Sequence, residues 1–175
     1  MEFSVLITVY EKEKPYNLRK SLLSSYRQTI KPTEIVLVCD GILTQDLYNE
    51  IEDIKNLIPI LKVYQLSTNV GSGPASCFGV EKCNTDIIAR MDSDDYSEKT
   101  RFEKQIKAFK ENPNLIMVGT NILEKNTEFT ALKTVPEKTE EIREYSKFRN
   151  PFNNPSSMMK KEYILKVGNY RKFRY

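Results

Sequence analysis

The chain has 175 residues, 39% hydrophobic and 29% charged, and its 27 basic side chains are nearly balanced by 24 acidic ones for a net charge of +3. These proportions belong to globular material of about one domain with a sizeable core, and so mild a charge gives no support to nucleic-acid binding. Histidine is absent, which excludes the commonest general base and every histidine-held metal, so chemistry falls to carboxylates, a metal on other ligands, or backbone dipoles.

Residues 3–9 form a β-branched run, followed by Pro15 at a first helical position and by Leu18, Leu22, Leu23 and Tyr26 at helical spacing, so a strand leads into a helix. Residues 34–39 are nearly all apolar and close on Asp40-Gly41, as expected of a parallel strand buried on both faces. Thr44 is placed to cap a helix whose Leu47, Ile51, Ile54 and Ile58 share a face, and Pro59 stops it. A third strand over 61–66, a turn at Asn69-Val70-Gly71-Ser72-Gly73-Pro74, a helix to Cys83 and a fourth strand over 86–91 follow. Ser97 is expected to cap the next helix, with Phe102, Ile106 and Phe109 on one face and Asn112-Pro113 at its end. Beyond Pro113 the pattern loosens into one strand over 115–123, a charged helix over 138–148 and a Pro- and Asn-rich turn over 150–155.

Strands alternating with helices predict a single α/β domain over 1–175, with a mostly parallel central sheet flanked by helices and ligands outside the carboxyl ends of its strands. No internal repeat and no separating linker interrupts it. Three features fall on that edge: Thr8-Val9-Tyr10, Asp40-Gly41 and Asp92-Ser93-Asp94. Cys39, Cys77 and Cys83 are odd in number, lack metal-ligand spacing and read as reduced thiols of a cytosolic protein. No apolar run approaches the roughly 18 residues of a spanning helix, so the chain is expected to be soluble or peripheral to a membrane.

Met91-Asp92-Ser93-Asp94-Asp95 is the most informative stretch. Three carboxylates crowded where a strand stops repel one another, and they persist where water screens them or a hard divalent cation neutralises them. An isolated Asp-x-Asp is as a rule a solvated turn or cap. On an edge shared with Asp40 it suits Mg2+ or Mn2+, with nucleotide phosphates filling the remaining coordination positions. Asp95 reads as a loop or cap residue. Asp40 either starts a turn ahead of Gly41 or accepts hydrogen bonds from a base or ribose. Asn69-x-Gly71-x-Gly73 lacks both the Gly-x-Gly-x-x-Gly spacing and a Lys-Ser/Thr continuation. Gly71 therefore serves a turn of positive φ or the close approach of a ligand. Arg90 is open to a diphosphate, to a neighbouring carboxylate, or to both.

In chain order, Ser4-Val5-Leu6-Ile7-Thr8-Val9-Tyr10, Ser21-Leu22-Leu23-Ser24-Ser25-Tyr26-Arg27-Gln28-Thr29, Glu34-Ile35-Val36-Leu37-Val38-Cys39-Asp40-Gly41, Asn69-Val70-Gly71 and Ala89-Arg90-Met91-Asp92-Ser93-Asp94-Asp95 resemble the motif series of the family 2 glycosyltransferases. Asn150-Pro151-Phe152-Asn153-Asn154-Pro155 and Val167-Gly168-Asn169-Tyr170 extend the resemblance over the whole chain. It implies the GT-A fold, the Rossmann-like fold of nucleotide-diphospho-sugar transferases. It also implies transfer of a sugar from a nucleoside-diphosphate donor, usually UDP-linked, to an acceptor hydroxyl with inversion. The most similar subgroup makes bacterial exopolysaccharide, capsule and O-antigen, of the amylovoran-biosynthesis type. That implies a saccharide or lipid-linked oligosaccharide acceptor and a cytoplasmic location with peripheral contact at the inner face of the membrane.

Carried over by position, Thr8 and Tyr10 would line the nucleoside pocket, with Gly71 also against the nucleotide-sugar, and Asp40 would accept from the uracil. Asp92 and Ser93 would lie against ribose and diphosphate, and Asp94 would be the principal ligand of Mn2+ or Mg2+, with Asp92 beside it. Residues 1–111 would form the nucleotide-sugar-binding half and 112–175 the start of the acceptor side. Cys39 stands where the family more often has an acidic residue, Cys77 where asparagine is common and Asn154 where histidine often stands. The family's Glu-Asp pair, whose Asp is the general base, follows the Gly-x-Tyr segment and would lie past Tyr175. The chain is therefore expected to be truncated, and a non-catalytic nucleotide-sugar-binding fragment is the alternative reading.

Two other enzyme classes fit less well. Phosphatases of the haloacid dehalogenase type want Thr or Val two residues after the second Asp, where Tyr96 stands. Nucleotidyltransferases need a glycine- and arginine-rich first loop, and Val9-Tyr10-Glu11-Lys12 is not one. The basic and aromatic segment over 160–175 reads as a solvated surface helix or as a contact for anionic lipid or a lipid-diphosphate.

Overall fold

The computed structural model describes residues 1–125 and 128–171. Four strand–helix units come first: β1 (Ser4–Val9) and α1 (Pro15–Tyr26), β2 (Glu34–Cys39) and α2 (Gln45–Lys55), β3 (Leu61–Gln65) and α3 (Ser72–Lys82), β4 (Ile87–Asp92) and α4 (Arg101–Glu111). These four strands are parallel and lie in the order β3-β2-β1-β4. Side chains alternate across a strand, so a sheet covered by helices on both faces needs apolar residues at every position. All six residues of β2 are buried accordingly. Val5, Ile7 and Val9 pack with Leu18, Leu22, Leu47 and Phe102 in one core layer, whereas Leu6, Val36, Val38 and Ile88 pack with Ala75 and Val80 of α3 in the other. Phe3 meets Phe102 edge to face at a centroid distance of 5.0 Å, closing the first layer at its end.

Local chemistry sets the helix starts. Pro15 opens α1. Thr44 caps α2, its hydroxyl accepting from the Leu47 N–H at 3.3 Å, with Asp46 in the first turn and Lys55 in the last to complement the helix dipole. Ser97 does not cap α4; the N-cap is Thr100, and the Phe102 N–H is instead satisfied by the Gln28 amide oxygen at 3.3 Å.

The second part departs further from expectation. The strand expected over 115–123 is two strands, β5 (Met117–Val118) in the main sheet and β6 (Ile122–Lys125), which pairs with β7 (Thr130–Lys133) in a separate antiparallel hairpin. The break at Thr120 is held by side chains: Asn153 Nδ2 donates to its carbonyl and Ser156 Oγ accepts from its N–H. α5 spans only Thr139–Tyr145. β8 (Met158–Lys160), unforeseen, runs antiparallel between β4 and β5 and completes a six-stranded, mostly parallel sheet. α6 (Lys161–Lys166) covers the α3 face through Ile164. Residues 172–175 of the basic, aromatic segment lie outside the described residues.

Candidate functional site

Strand order reverses between β1 and β4: the chain steps outward from β1 to β3 on one side, then returns to place β4 on the other. Such a switch leaves a crevice at the carboxyl ends of the strands. Thr8 and Asp92 are register partners across it. Two pockets of about 450 Å³ each open there. Thr8, Val9, Tyr10, Asp40, Asn69 and Gly71 line the first. The second is floored by Arg90, Asp92, Ser93 and Asp94 and walled by Lys12, Glu13, Ser72, Ser76, Asn154 and Tyr170. They share Thr8, Tyr10, Lys12 and Ser72, so all seven residues expected at the site converge on one continuous cleft.

Asp40 is a loop clamp. Its carboxylate is buried, and its two oxygens accept from the N–H groups of Val70 at 2.7 Å and Gly71 at 3.0 Å. Two of the carboxylate's roughly four acceptor positions are thus used by the protein. Gly41 makes this approach possible: at φ +85° it takes a conformation that side chains avoid, and a Cβ there would sit 2.6 Å from the Asn69 nitrogen. Gly71, at φ +92°, has open space where its Cβ would stand, so backbone conformation and not crowding calls for glycine.

The acidic loop is held from below. Ser21 Oγ donates to the Asp92 carbonyl at 2.8 Å, and Ser93 Oγ donates to Glu13 at 2.6 Å. Glu13 also accepts from the Lys14 N–H and the Asn17 amide, which ties the loop after β1 to the acidic loop. Burial pushes the Asp92 carboxyl above its ordinary value, opposed by Arg90 and reinforced by Asp94. Asp95 is pushed up to about 6, first by burial and then by Asp92 and Asp94. Carboxylates that resist ionising together are suited to a cation, and an oxygen-only donor set suits a hard one. Among the described residues no three His, Cys, Asp or Glu side chains are grouped to hold a metal. Asp92 and Asp94 both line the second pocket, where each could supply a carboxylate ligand. That fits Mg2+ or Mn2+, which take one or two carboxylates and complete the shell with phosphates and water.

Two buried arginines flank the loop. Arg101 donates to the Arg90 carbonyl at 2.7 Å, and burial lowers it to about 10. Arg90 reaches the Leu6 carbonyl at 3.2 Å and lies 3.6 Å from Asp92. Lys12, Glu13, Ser72, Ser76 and Tyr170 were not foreseen at the site. Glu13 follows β1 by a few residues on the same edge, a signal that was legible, whereas the Gly168-Asn169 turn is marked in the sequence but not the packing that brings Tyr170 to the pocket. Cys39 and Cys83 are buried, burial pushing their thiols to about 11 and about 12, so neither is a ready nucleophile.

The reversed strand order, the cleft at the switch point and the carboxylates on its floor define an α/β domain of the GT-A type. The chain belongs to glycosyl transferase family 2, whose profile matches residues 4–166. It is 36% identical over 174 residues to the amylovoran biosynthesis glycosyltransferase AmsE of Erwinia amylovora, covering 99% of this chain and 65% of that one. It is 34% identical to the UDP-Gal:alpha-D-GlcNAc-diphosphoundecaprenol beta-1,3-galactosyltransferase of Escherichia coli, covering 97% of this chain and 62% of that protein. The chain thus spans just under two thirds of these relatives' length. Among solved structures it resembles S. aureus TarS 1-349 in complex with UDP-GlcNAc, at a TM-score of 0.73 and 22% identity, covering 98% of this chain and 49% of that one. It also resembles the mannosyltransferase PcManGT of Pyrobaculum calidifontis in complex with GDP-Man and Mn2+, at a TM-score of 0.71 and 14% identity, over 97% of this chain and 47% of that one.

Proposed function

We propose that the chain is the donor-binding part of an inverting glycosyltransferase of bacterial surface-polysaccharide synthesis. It takes a UDP-sugar in the cleft at the ends of β1, β2 and β4. One observation carries this reading: two pockets adjoin at the switch point through their shared Thr8, Tyr10, Lys12 and Ser72, the first lined also by Val9, Asp40 and Gly71, the second by Arg90, Asp92, Ser93 and Asp94. A nucleoside suits the first and a diphosphate-sugar with its cation the second. The Escherichia coli relative is named for UDP-Gal and a diphosphoundecaprenol acceptor, and the TarS structure holds UDP-GlcNAc, which supports a uridine donor and a lipid-linked or saccharide acceptor.

In this reading Thr8, Tyr10 and Gly71 border the nucleoside, and Asp40 shapes the Gly71 loop while offering its spare acceptor positions to the base. Asp92 and Ser93 lie against ribose and diphosphate, and Asp94, with Asp92, holds Mn2+ or Mg2+. When bound, that cation supplies positive charge to offset the charge developing on the diphosphate. The acceptor oxygen bonds to the anomeric carbon opposite the diphosphate, the bond to the diphosphate breaks with its electron pair, and a carboxylate takes the hydroxyl proton. Residues 112–175 are assigned to the acceptor side. A cytoplasmic enzyme peripheral to the inner membrane face would meet such an acceptor; among the described residues no helix is long and apolar enough to cross a membrane. A non-catalytic binding role is not favoured, because these relatives are named as transferases.

Thermal denaturation tests the donor site. UDP with Mn2+ is expected to raise Tm, and Asp94→Ala to remove the metal-dependent part of the rise while sparing a weaker, metal-free shift. If no nucleoside diphosphate moves Tm with either cation, the donor-site reading is wrong.

A further inference from the structure

Arg90 is 2% exposed yet contributes to the floor of the second pocket. A guanidinium carries five N–H donors, and a buried one is costly unless they are met. One donates to the Leu6 carbonyl at 3.2 Å. Another faces Asp92 Oδ1 at 3.6 Å, close enough for attraction but too long for a hydrogen bond. Nε is buried with no partner among the described residues. The Tyr170 ring centroid lies 5.8 Å from the guanidinium carbon, which stands over the ring face. Tyr170 is itself fixed by a turn at Gly168 and Asn169, both at positive φ, which Asn169 fastens to α3 by donating to the Cys77 carbonyl at 3.2 Å. Ser72 at the start of α3 and Ser76 one turn on line the same pocket as Arg90, and that helix start has no acidic residue and no side-chain cap. A helix end of that kind favours an anion. The site thus holds a buried cation with spare donors beside a carboxylate it does not fully bind.

We propose that Arg90 is an exchange partner within the site: it balances Asp92 inside the protein, and turns to an anionic oxygen of a bound diphosphate when a divalent cation takes the Asp92 carboxylate. The inference rests on the donor-site reading above. It makes Arg90 and the cation competitors for one carboxylate and allies on one diphosphate, so a single substitution should move two affinities in opposite directions.

Calorimetric titration of Mn2+ alone, and of UDP at saturating Mn2+, tests this on the wild-type chain, Arg90→Gln and Arg90→Lys. Arg90→Gln is expected to bind Mn2+ alone several-fold more tightly, because Asp92 loses its competing cation. It should bind UDP about tenfold more weakly, the loss of one charge-assisted contact to phosphate. Arg90→Lys, which keeps charge and bulk and so guards against a folding defect, should leave Mn2+ alone near wild type and weaken UDP, since a point charge cannot replace a planar fork. Affinities that fall together in Arg90→Gln, or that do not change, overturn the exchange. If the wild type binds no UDP with Mn2+, it is the donor-site reading itself that fails.

Discussion

Asp40 shows how a residue can be located at a strand end from sequence while its hydrogen-bond partners stay hidden. Its position after a buried strand marked it as a ligand-edge carboxylate, but which groups it accepts from depends on a loop thirty residues away that local sequence does not report. The structure gives both its oxygens a backbone N–H, so the Asn69–Gly71 turn is built on its charge. Asp40→Asn turns one acceptor into a donor facing an N–H, leaving a buried group unmet at a cost of about 1–3 kcal/mol. The expected outcome is a fall in Tm of several degrees and weaker UDP binding even without metal. Asp94→Ala should instead lose only the metal-dependent part. If the two variants lose the same part of UDP binding, the separation of nucleoside clamp from metal corner is wrong.

Among the elements, α1 carries the arrangement least visible in sequence. Ser21 and Ser24 of α1 and Gln28 just past its end stand at helical spacing. In the fold they form a stripe that grips the loop leaving β4: Ser21 donates to the Asp92 carbonyl, Ser24 accepts from the Ser97 N–H, and Gln28 donates to the Glu98 carbonyl at 2.9 Å. That grip displaces the α4 cap from Ser97 to Thr100. Most of the first eight elements were legible from apolar runs in β1, β2 and β4 and from Leu, Ile or Phe on one face of α1, α2 and α4, while β3 and α3 were placed by the turns around them. β7 and β8 were not, since runs of three or four residues hold too few alternations to separate from a turn, and Met158 and Met159 stand directly behind a Pro- and Asn-rich segment. The site residues on strand ends were legible for the same reason the strands were; Tyr170 and Arg90's spare donors depend on tertiary packing. Gln28→Ala should cost about 1–3 kcal/mol, because the Glu98 carbonyl and the Phe102 N–H both lose a buried partner. If α1 positions the acidic loop, this variant will also lose more of the Mn2+-dependent part of UDP stabilisation than of metal-free UDP binding. Equal proportional losses would reduce the stripe to a folding role.

Across the whole molecule, the two ends of the sheet are held by opposite means. At the ligand end, carboxylates crowd together and Arg90 is under-satisfied. At the other end Glu34 is buried with every acceptor position met: Oε1 takes Ser4 Oγ and the Asn84 N–H, and Oε2 takes Lys62 Nζ and the Asn84 amide, at 2.6–3.0 Å. Burial alone would raise this carboxyl; the Asn84 N–H, Lys62, Ser4 and the Asn84 side chain outweigh it and lower it from 4.5 to about 2. The network joins β1, β2, β3 and the turn before β4, so it fixes the register from which all four strands run toward the site. A depressed carboxylate contributes stability above its ordinary value, and loses that contribution as pH falls from there through the folded value. Wild-type Tm should therefore drop across the window from 4.5 down to about 2, and Glu34→Gln should flatten that drop while lowering stability at neutral pH by about 1.5–3 kcal/mol. Strands of six residues separate the two ends by roughly 17 Å, beyond the range of roughly 7–10 Å within which substitutions couple. Glu34→Gln should accordingly leave UDP and Mn2+ affinities unchanged well below its Tm. A shift in either affinity would mean that the strand register set at this end reaches Asp92 and Asp94 at the other, and that the sheet does not insulate its site from its anchor.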